Sequence, residues 1–419
     1  LRKSENKEFL TVLDFIGNHN KTFLIPIALS GARYYDKDSL KVAVATDFID
    51  VPGCTNIQID EISKERILSQ IERENFRELK YLRDEYNQFK SLCGGKIPYM
   101  LLDYIKYDGA PDPIKFIDKE KTYLNFVAKT EKDDELKALL LNNSFEKILK
   151  ELNGNLPLKR INEFAILKYL LNNKSISIEK ANSEILKYIE KIDEDSVKHA
   201  FECLNHQYWD SSMIKQRIKM VEYKDGILFR SNEFEEVINN KEYLKYIEDA
   251  MNYGILRYKN EFKEEYYGMP FLKLYEQYKM VDIALLSNYR KTHSAFRGSG
   301  LLTNKNDYFL FIDLHKEGIE ERINYKDKFL DKTYFQWQSP NSTTQSSDRG
   351  KNLINNKDRK ISLHLFVRKY KEIDKKVQPY IYIGKGDTVE YEGEKPITMK
   401  IKLHNDVPSK IYREFIEKV

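Results

Sequence analysis

Hydrophobic and polar positions change their spacing twice along this chain. Residues 10–17 form a short apolar run closed by Gly17, which is typical of an interior strand of a parallel sheet. A second apolar run, at residues 23–29, also has the length of a strand. From about residue 60 the apolar positions recur every three or four residues, and this spacing predicts amphipathic helices.

The helical spacing continues through the middle of the chain. It predicts one helix across residues 76–89, another across 136–152 that ends near Gly154, and a third across 234–251. Isoleucines at positions 178, 185 and 189 fall on one face of a further helix. Residues 31–260 are therefore predicted to be a mainly helical region with charged outer faces.

After residue 300 the period becomes two. Tyr308–Ile312 has the continuous apolar pattern of a buried strand, while residues 361–368 and 397–404 alternate apolar and polar positions. Residues 380–383 form another short run, between Pro379 and Gly384. Several short strands separated by turn signals predict a small barrel or sandwich.

Composition describes a globular chain of more than one domain. The 419 residues are 41% hydrophobic and 32% charged. No apolar stretch reaches the roughly 20 residues of a spanning helix, and no basic and apolar leader opens the chain. A cytoplasmic location without a membrane partner is therefore predicted. Residues 261–419 carry 29 Lys and Arg against 23 Asp and Glu, whereas the remainder carries 41 against 43. The positive excess of the last third favours a polyanionic partner.

Signals for catalysis or metal binding are few. The three cysteines, Cys54, Cys93 and Cys203, are far apart and have no histidines at zinc spacing, so reduced thiols and no metal site are predicted. No phosphate-binding glycine loop is present. Glu222-Tyr223-Lys224 has the ExK form of many metal-dependent nucleases, which leaves a nuclease using Glu222 and Lys224 as one alternative.

Aromatic and neutral polar residues are concentrated between positions 325 and 344. Flat rings stack on an extruded nucleobase, while Asp, Gln, Asn, Ser and Thr address its hydrogen-bonding edge. The residues predicted to form such a base pocket are Tyr325, Asp327, Phe335, Trp337, Gln338, Ser339, Asn341 and Thr343. The alternative is that Phe329, Phe335 and Trp337 are core residues and that the Ser and Thr run is a turn.

Basic residues cluster in two neighbouring stretches. The Asn- and Lys-rich part before Ile361 is interpreted as a long surface loop that lies along phosphates or is simply solvated. The second stretch lies beside Gly298-Ser299-Gly300. The residues predicted to contact the DNA backbone are Arg290, Lys291, Arg297, Lys326, Arg349, Lys351, Arg359 and Lys360.

The beginning of the chain resembles the end of a superfamily-two helicase motor. Leu1-Arg2-Lys3, followed by residues 10–18, is similar to the stretch that follows the sixth motif of these motors. The resemblance implies that Arg2 is the arginine finger of a motor whose other ATPase motifs lie upstream. Residues 1–30 would then be the tail of a RecA-like domain, and the chain a truncated protein.

A second resemblance covers the last third. Residues 272–278, 325–329, 337–344 and 361–368 are similar to the terminal domain of many bacterial helicase-like proteins. Type IV, modification-dependent, ATP-driven restriction enzymes are among them. The resemblance implies an SRA-like (PUA-like) β-barrel over residues 261–419, which flips 5-methylcytosine or 5-hydroxymethylcytosine out of double-stranded DNA.

Together these observations predict an α+β protein with a RecA-like remnant, a helical coupling region and an SRA-like target-recognition domain. The chain itself is expected to be neither an enzyme nor a cofactor binder. ATP and magnesium would serve the full-length parent, a restriction endonuclease. The expected partners are double-stranded DNA with modified cytosine, the upstream motor and nuclease domains, and a second copy through the parent. A non-enzymatic interaction or oligomerisation module is the other alternative.

Overall fold

The computed structural model describes residues 22–30, 37–49, 57–107, 109–269, 271–290, 300–315 and 327–417. The chain divides into two compact units, Leu1–Asn75 with Pro408–Val419, and Phe76–Val407. Arg2 and the strand predicted at residues 10–17 lie outside the described residues.

Helices dominate the first unit and the first half of the second. Their bounds are α1 (Leu24–Ser30), α2 (Lys37–Ala45), α3 (Glu61–Arg73), α4 (Leu79–Leu92), α5 (Ile114–Glu120), α6 (Tyr123–Thr130), α7 (Asp134–Leu139), α8 (Asn143–Gly154), α9 (Asn162–Leu170), α10 (Ile178–Ile185), α11 (Glu194–Leu204), α12 (Ser211–Ile214), α13 (Asn232–Asn239), α14 (Lys241–Phe262), α15 (Met280–Leu286), α16 (Asp348–Ile354) and α17 (Ser409–Ile416). A 3-10 helix spans Leu101–Ile105. None of the described helices is long and apolar enough to span a membrane.

Strands dominate the second half of the second unit. Their bounds are β1 (Ser175–Ser177), β2 (Val221–Lys224), β3 (Ile227–Arg230), β4 (Gln277–Tyr278), β5 (Leu301–Asn304), β6 (Asp307–His315), β7 (Lys328–Phe329), β8 (Tyr334–Gln338), β9 (Ser362–Tyr370), β10 (Glu372–Ile373), β11 (Lys376–Val377), β12 (Tyr380–Glu392) and β13 (Thr398–Leu403). The period-two pattern therefore located β9 and β13, and the two short apolar runs lie within β6 and at the start of β12.

The first unit contains α1, α2, α3 and α17. The apolar run at residues 23–29, which has strand length, is helical, so periodicity over seven residues did not distinguish the two states. Gln70 of α3 accepts a hydrogen bond from the Thr22 backbone N–H just before α1 (2.8 Å). Asp60 caps α3 by accepting from the Ser63 backbone N–H.

Two of the long predicted helices are each broken into two. The helix predicted across residues 136–152 is α7 followed by α8, because the Asn142 side chain accepts from the Phe145 backbone N–H (2.9 Å) and starts a new helix. The helix predicted across residues 234–251 is divided in the same way between α13 and α14, where Asn240 is the cap. A capping asparagine thus outweighed the continuous apolar pattern on either side of it.

The large sheet of the second unit has the strand order β5-β6-β9-β12-β13-β8-β7, and β4 pairs with β12. β6 and β9 are parallel, whereas the other neighbours are antiparallel. β12 pairs with β9 through its first half and with β13 through its second half. Irregular register near Gly384, whose φ is +111°, bends this strand between the two halves of the sheet.

A closed SRA-like barrel is not shown. Among the described residues, β5 and β7 are the two ends of the sheet and do not pair with each other. Barrel closure requires such end strands to be hydrogen-bonded together. The protein is mixed α+β with a multi-stranded sheet in its C-terminal part.

Both faces of the central strands are buried. On one face, Phe309, Phe366 and Tyr382 lie in a core cluster with Tyr208 and Trp209. The latter two belong to residues 76–262 of the second unit, which we call the helical half; residues 263–407 are the sheet half. Ile283 and Leu286 of α15 belong to the same cluster. The opposite face carries Leu310, Leu365 and Ile383, all fully buried. The helical half therefore supplies part of the cover that this sheet needs.

Buried polar groups connect the same two halves. Lys159 and Glu276, each 8% exposed, form an ion pair (2.7 Å). Arg160 donates to the Leu285 carbonyl oxygen (2.6 Å) and to His199 Nδ1 (3.0 Å), and it also pairs with Glu163. These contacts satisfy charged groups that would otherwise be strongly destabilising in the interior.

Gly386 of β12 is a position where a side chain is excluded. A Cβ there would lie 2.5 Å from Ile401 Cγ2 and 2.9 Å from the Lys402 carbonyl oxygen. We expect Gly386→Ala to lower the free energy of unfolding by about 1–3 kcal/mol. Gly154→Ala is the control, because no atom lies within 4 Å of its added Cβ. An unchanged thermal midpoint for Gly386→Ala would contradict the described packing of β12 on β13.

His199 makes stability depend on pH. It accepts from Arg160 through Nδ1, so Nε2 carries the proton and donates to the Tyr289 carbonyl oxygen (3.1 Å). Burial and the neighbouring Arg160 lower the pKa of His199 from 6.5 to about 3. Below pH 6.5 the unfolded chain takes up a proton that the folded protein refuses, so stability is lost as the pH falls from 6.5 towards 3.

Denaturant unfolding at several pH values measures this loss. Relative to His199→Gln, the wild-type protein should lose about 1.4 kcal/mol per pH unit below pH 6.5. The comparison with the variant subtracts the contributions of the other histidines. Parallel pH profiles for the two proteins would show that His199 is not held neutral.

Candidate nucleic-acid interface

One positively charged stretch of the sheet half is residues 348–360, which we call the basic segment. It comprises α16 and the turn that follows, and it was expected to be one long loop. Asp348 and Asp358 reduce its net charge to +3. Among the described residues, its five cations form no ion pair, and all are exposed: Arg349, Lys351, Lys357, Arg359 and Lys360.

Asn356 fixes the second half of the basic segment to the sheet. Its side chain is 1% exposed. Nδ2 donates to the Ile361 carbonyl oxygen (3.1 Å) and to Asp387 Oδ1 (3.0 Å), while Oδ1 accepts from the Thr388 backbone N–H (2.9 Å). Thr388 Oγ1 in turn donates to the Leu353 carbonyl oxygen (2.8 Å). The turn that carries Lys357, Arg359 and Lys360 is therefore fastened to β12.

α16 fixes the first half of the segment. Ser347 caps the helix, and Leu353 is fully buried, whereas Arg349 and Lys351 are exposed. A Cβ on Gly350 would lie 1.9 Å from the Thr344 carbonyl oxygen, so the preceding loop presses directly against the helix. Cations on such an ordered backbone lose less conformational entropy on binding than cations on a mobile loop.

The aromatic residues of the predicted base pocket lie in the interior. Phe335 is 0% and Trp337 is 4% exposed. They lie opposite Ile401 and Met399 of the neighbouring strand β13. Phe335 also packs edge-on against Phe329, with ring centroids 4.8 Å apart. Neither Phe335 nor Trp337 presents an open face to a nucleobase in this arrangement. Their burial agrees with the alternative interpretation of these rings as core residues.

The polar residues of the same prediction are distributed differently. Asp327 accepts from the Gln338 backbone N–H (2.8 Å), and Gln338 Nε2 donates to Thr398 Oγ1 (3.0 Å). Because β8 alternates buried and half-buried positions, Gln338 lies on the opposite face from Trp337. These residues therefore do not converge on one pocket with the two aromatic rings.

The turn after β8 holds the remaining members. Ser339, which is fully buried, accepts from the Ile397 backbone N–H (3.0 Å). Asn341 is exposed. Thr343 is 2% exposed, and its Oγ1 has no hydrogen-bond partner in the described part of the chain. A buried hydroxyl without a partner is unfavourable, and a ligand atom could bond to it only if the turn after β8 moved away.

Four other residues of the predicted DNA site lie outside the described ranges. These are Tyr325, Lys326, Lys291 and Arg297, and their roles stay predictions. Arg290 is 69% exposed and pairs with Asp195 of α11.

The nuclease alternative receives no geometric support. Glu222 and Lys224 lie exposed on β2, an edge strand of the three-stranded sheet β1-β3-β2. Within the described ranges, no three His, Cys, Asp or Glu residues are grouped to hold a metal ion. The nuclease alternative stays a prediction.

Asn356 was missed by sequence reasoning. It stands in the run 352–360 beside Asn352 and Asn355, and no sequence pattern distinguishes the three asparagines. Asn356 is identified as the anchor only by its burial and by the two backbone groups that it bonds, the Ile361 carbonyl oxygen and the Thr388 N–H.

Replacing Asn356 should release the basic turn. We expect Asn356→Ala to lower the free energy of unfolding by about 1–3 kcal/mol, because buried backbone groups are left without partners. Limited trypsin digestion should then cut faster after Lys357, Arg359 and Lys360. Asn355→Ala is the matched control, since Asn355 is exposed. Equal digestion rates for the two variants would contradict the anchoring role.

Comparison with known families gives two matches, and the second of them runs from the second unit into the first. Residues 82–262 match a domain of unknown function, DUF8090, and residues 272–415 match another, DUF3427. DUF3427 is often found in helicase-associated proteins, and neither match names a restriction enzyme. A search among curated proteins found no match to the chain.

Proposed function

We propose that this chain is a DNA-binding, target-recognition portion of a helicase-associated protein, and that residues 272–415 bind double-stranded DNA through the basic segment. The observation that carries the proposal is the set of five exposed cations, without ion pairs among the described residues, on a backbone held by Asn356 and α16. Lysine and arginine on such a surface bind phosphates and release the counterions condensed on DNA.

Charge distribution supports a polyanion over a protein partner. Residues 261–419 carry 29 basic and 23 acidic side chains, and the positive excess of the chain lies there. In the basic segment the cations lie outside the apolar core, and Leu353 is turned inward. A protein interface of comparable size would present an apolar centre. The exposed surface of the basic segment instead presents charge.

The finer element of the proposal is recognition of 5-methylcytosine or 5-hydroxymethylcytosine by base flipping in an SRA-like domain. With Phe335 and Trp337 in the core, we assign the stacking role to Tyr325, the remaining aromatic residue of the predicted set. Exposed Asn341 would address the base edge, and the buried Thr343 hydroxyl, which has no partner among the described residues, would do so once DNA binding moves the turn after β8. The helical half would then couple recognition to an upstream motor that uses ATP and magnesium, and to a nuclease.

Fluorescence anisotropy of the full chain with a duplex of about 20 base pairs tests DNA binding across a salt series. The test variant carries Arg349→Gln, Lys351→Gln, Arg359→Gln and Lys360→Gln. We expect its affinity to fall at least about tenfold. The slope of log affinity against log salt should decrease by about 0.9 for each phosphate that the variant no longer neutralises.

The control variant removes the same number of charges from the helical half. Lys137, Lys150, Lys180 and Lys187 are 44–58% exposed on their side chains, and each pairs with a carboxylate one helical turn away. Their replacement by glutamine should change affinity much less. Equal decreases in affinity for both variants would show that net charge alone explains the effect. Absence of binding by the wild-type chain would refute the DNA proposal.

Methylation of a central cytosine tests the finer element. Thr343→Val keeps the shape of the side chain and removes its unpartnered hydroxyl, so stability should be unchanged or slightly raised. A preference for the methylated duplex that Thr343→Val weakens would support the pocket. Equal binding of both duplexes by the wild-type chain would refute base recognition and leave a non-specific DNA platform. Trp337→Ala is unsuitable here, because loss of a buried tryptophan costs about 3–5 kcal/mol and confounds binding with unfolding.

A further inference from the structure

Asp195 lies between two cations of the sheet half. Its Oδ1 is 3.3 Å from Arg290 Nη2, and its Oδ2 is 3.5 Å from Lys305 Nζ. Asp195 belongs to the first turn of α11, Arg290 follows α15, and Lys305 is in the turn between β5 and β6. Three separate elements therefore bring one carboxylate and two cations together.

The geometry of this triad suits exchange with a phosphate. Each carboxylate oxygen faces one cation, as the two non-bridging oxygens of a phosphodiester would. The side chains of Arg290, Lys305 and Asp195 are 69%, 74% and 41% exposed, so an incoming anion can reach both cations. Ion pairs between exposed groups are weak, and solvent and salt compete with them readily.

The triad is continuous with the basic segment. The residue after Lys305, Asn306, accepts a hydrogen bond through its carbonyl oxygen from the Ser362 backbone N–H (2.9 Å). Ser362 is the second residue after the end of the basic segment at Lys360. The β5–β6 turn and the turn that bears Lys357, Arg359 and Lys360 are therefore direct neighbours.

We propose that Arg290 and Lys305 form a second phosphate-binding site for the DNA backbone, and that Asp195 occupies this site in the DNA-free protein. The inference rests on the proposed function and adds to it a competitor built into the helical half. DNA binding exchanges the Asp195 carboxylate for a phosphate of the duplex. The same exchange frees Asp195 and loosens one contact between α11 and the sheet half.

Asp195→Asn removes the competitor and keeps the size of the side chain. The probe is the unmodified duplex used for the salt series, with anisotropy as the readout. We expect affinity to rise about three- to tenfold, the range that the removal of two weak ion pairs allows. The salt slope should become steeper, because binding then no longer displaces a carboxylate that takes up counterions as the phosphate releases them.

Glu194→Gln is the matched control. Glu194 is the preceding residue of the same helical turn, and it pairs with Lys198 of its own helix instead of with the sheet half (2.6 Å). The control removes an equal charge from nearly the same place, so general repulsion of DNA changes equally in both variants. A larger gain for Asp195→Asn than for Glu194→Gln is the expected result, and equal gains would overturn the proposal.

A triple variant identifies the cations. Arg290→Gln and Lys305→Gln introduced together into Asp195→Asn should abolish the gain in affinity, and an undiminished gain would refute the assigned site. Thermal midpoints of all variants verify folding. If the wild-type chain binds no duplex, the proposed function itself fails. If it binds through the basic segment and Asp195→Asn behaves as Glu194→Gln does, only the present inference fails.

Discussion

The second unit depends on the need to cover both apolar faces of one sheet. β6 and β9 are buried on both sides, and a sheet of that kind is stable only between two layers. Tyr208 and Trp209 of the helical half complete the core around Phe309, Phe366 and Tyr382. The two matched stretches, residues 82–262 and 272–415, therefore contribute to one core although they match different family models. Separating them would expose the aromatic face of the sheet.

The same junction determines where the charged surface lies. Arg160 binds the Leu285 carbonyl oxygen, and His199 binds that of Tyr289, so the chain leaving α15 is fastened from the helical half up to the residue before Arg290. Burying an arginine and a neutral histidine here is tolerable only because each finds partners. The result is a fixed position for Arg290 relative to Asp195 at the surface. The buried contacts of Arg160 and His199 therefore help to position the exposed ion pair between Arg290 and Asp195.

The sequence predicted the architecture better than the site. Strict alternation located β13, because a half-buried strand leaves that signature, and it also located β9, although both faces of β9 are buried. Helix boundaries were less certain, since Asn142 and Asn240 interrupt helices whose apolar pattern continues. Phe335 and Trp337 could not be assigned, because aromatic residues beside polar ones suit a core strand and a base pocket equally well. Lys305 and Asp195 could not be paired at all, since 110 positions separate them.

Two kinds of cation on one surface would give DNA binding two distinct properties. The cations of the basic segment would attract any phosphate backbone, and their contribution would fall steeply with salt. Arg290 and Lys305 already hold an anion, so they add affinity only where a phosphate can replace the Asp195 carboxylate with better geometry. A loosely seated duplex would leave that pair intact, whereas a fully seated one would break it. Asp195 belongs to the helical half. Binding of DNA to the sheet would therefore change the contacts of α11, and the helical half would transmit this change to the domains that it is proposed to couple.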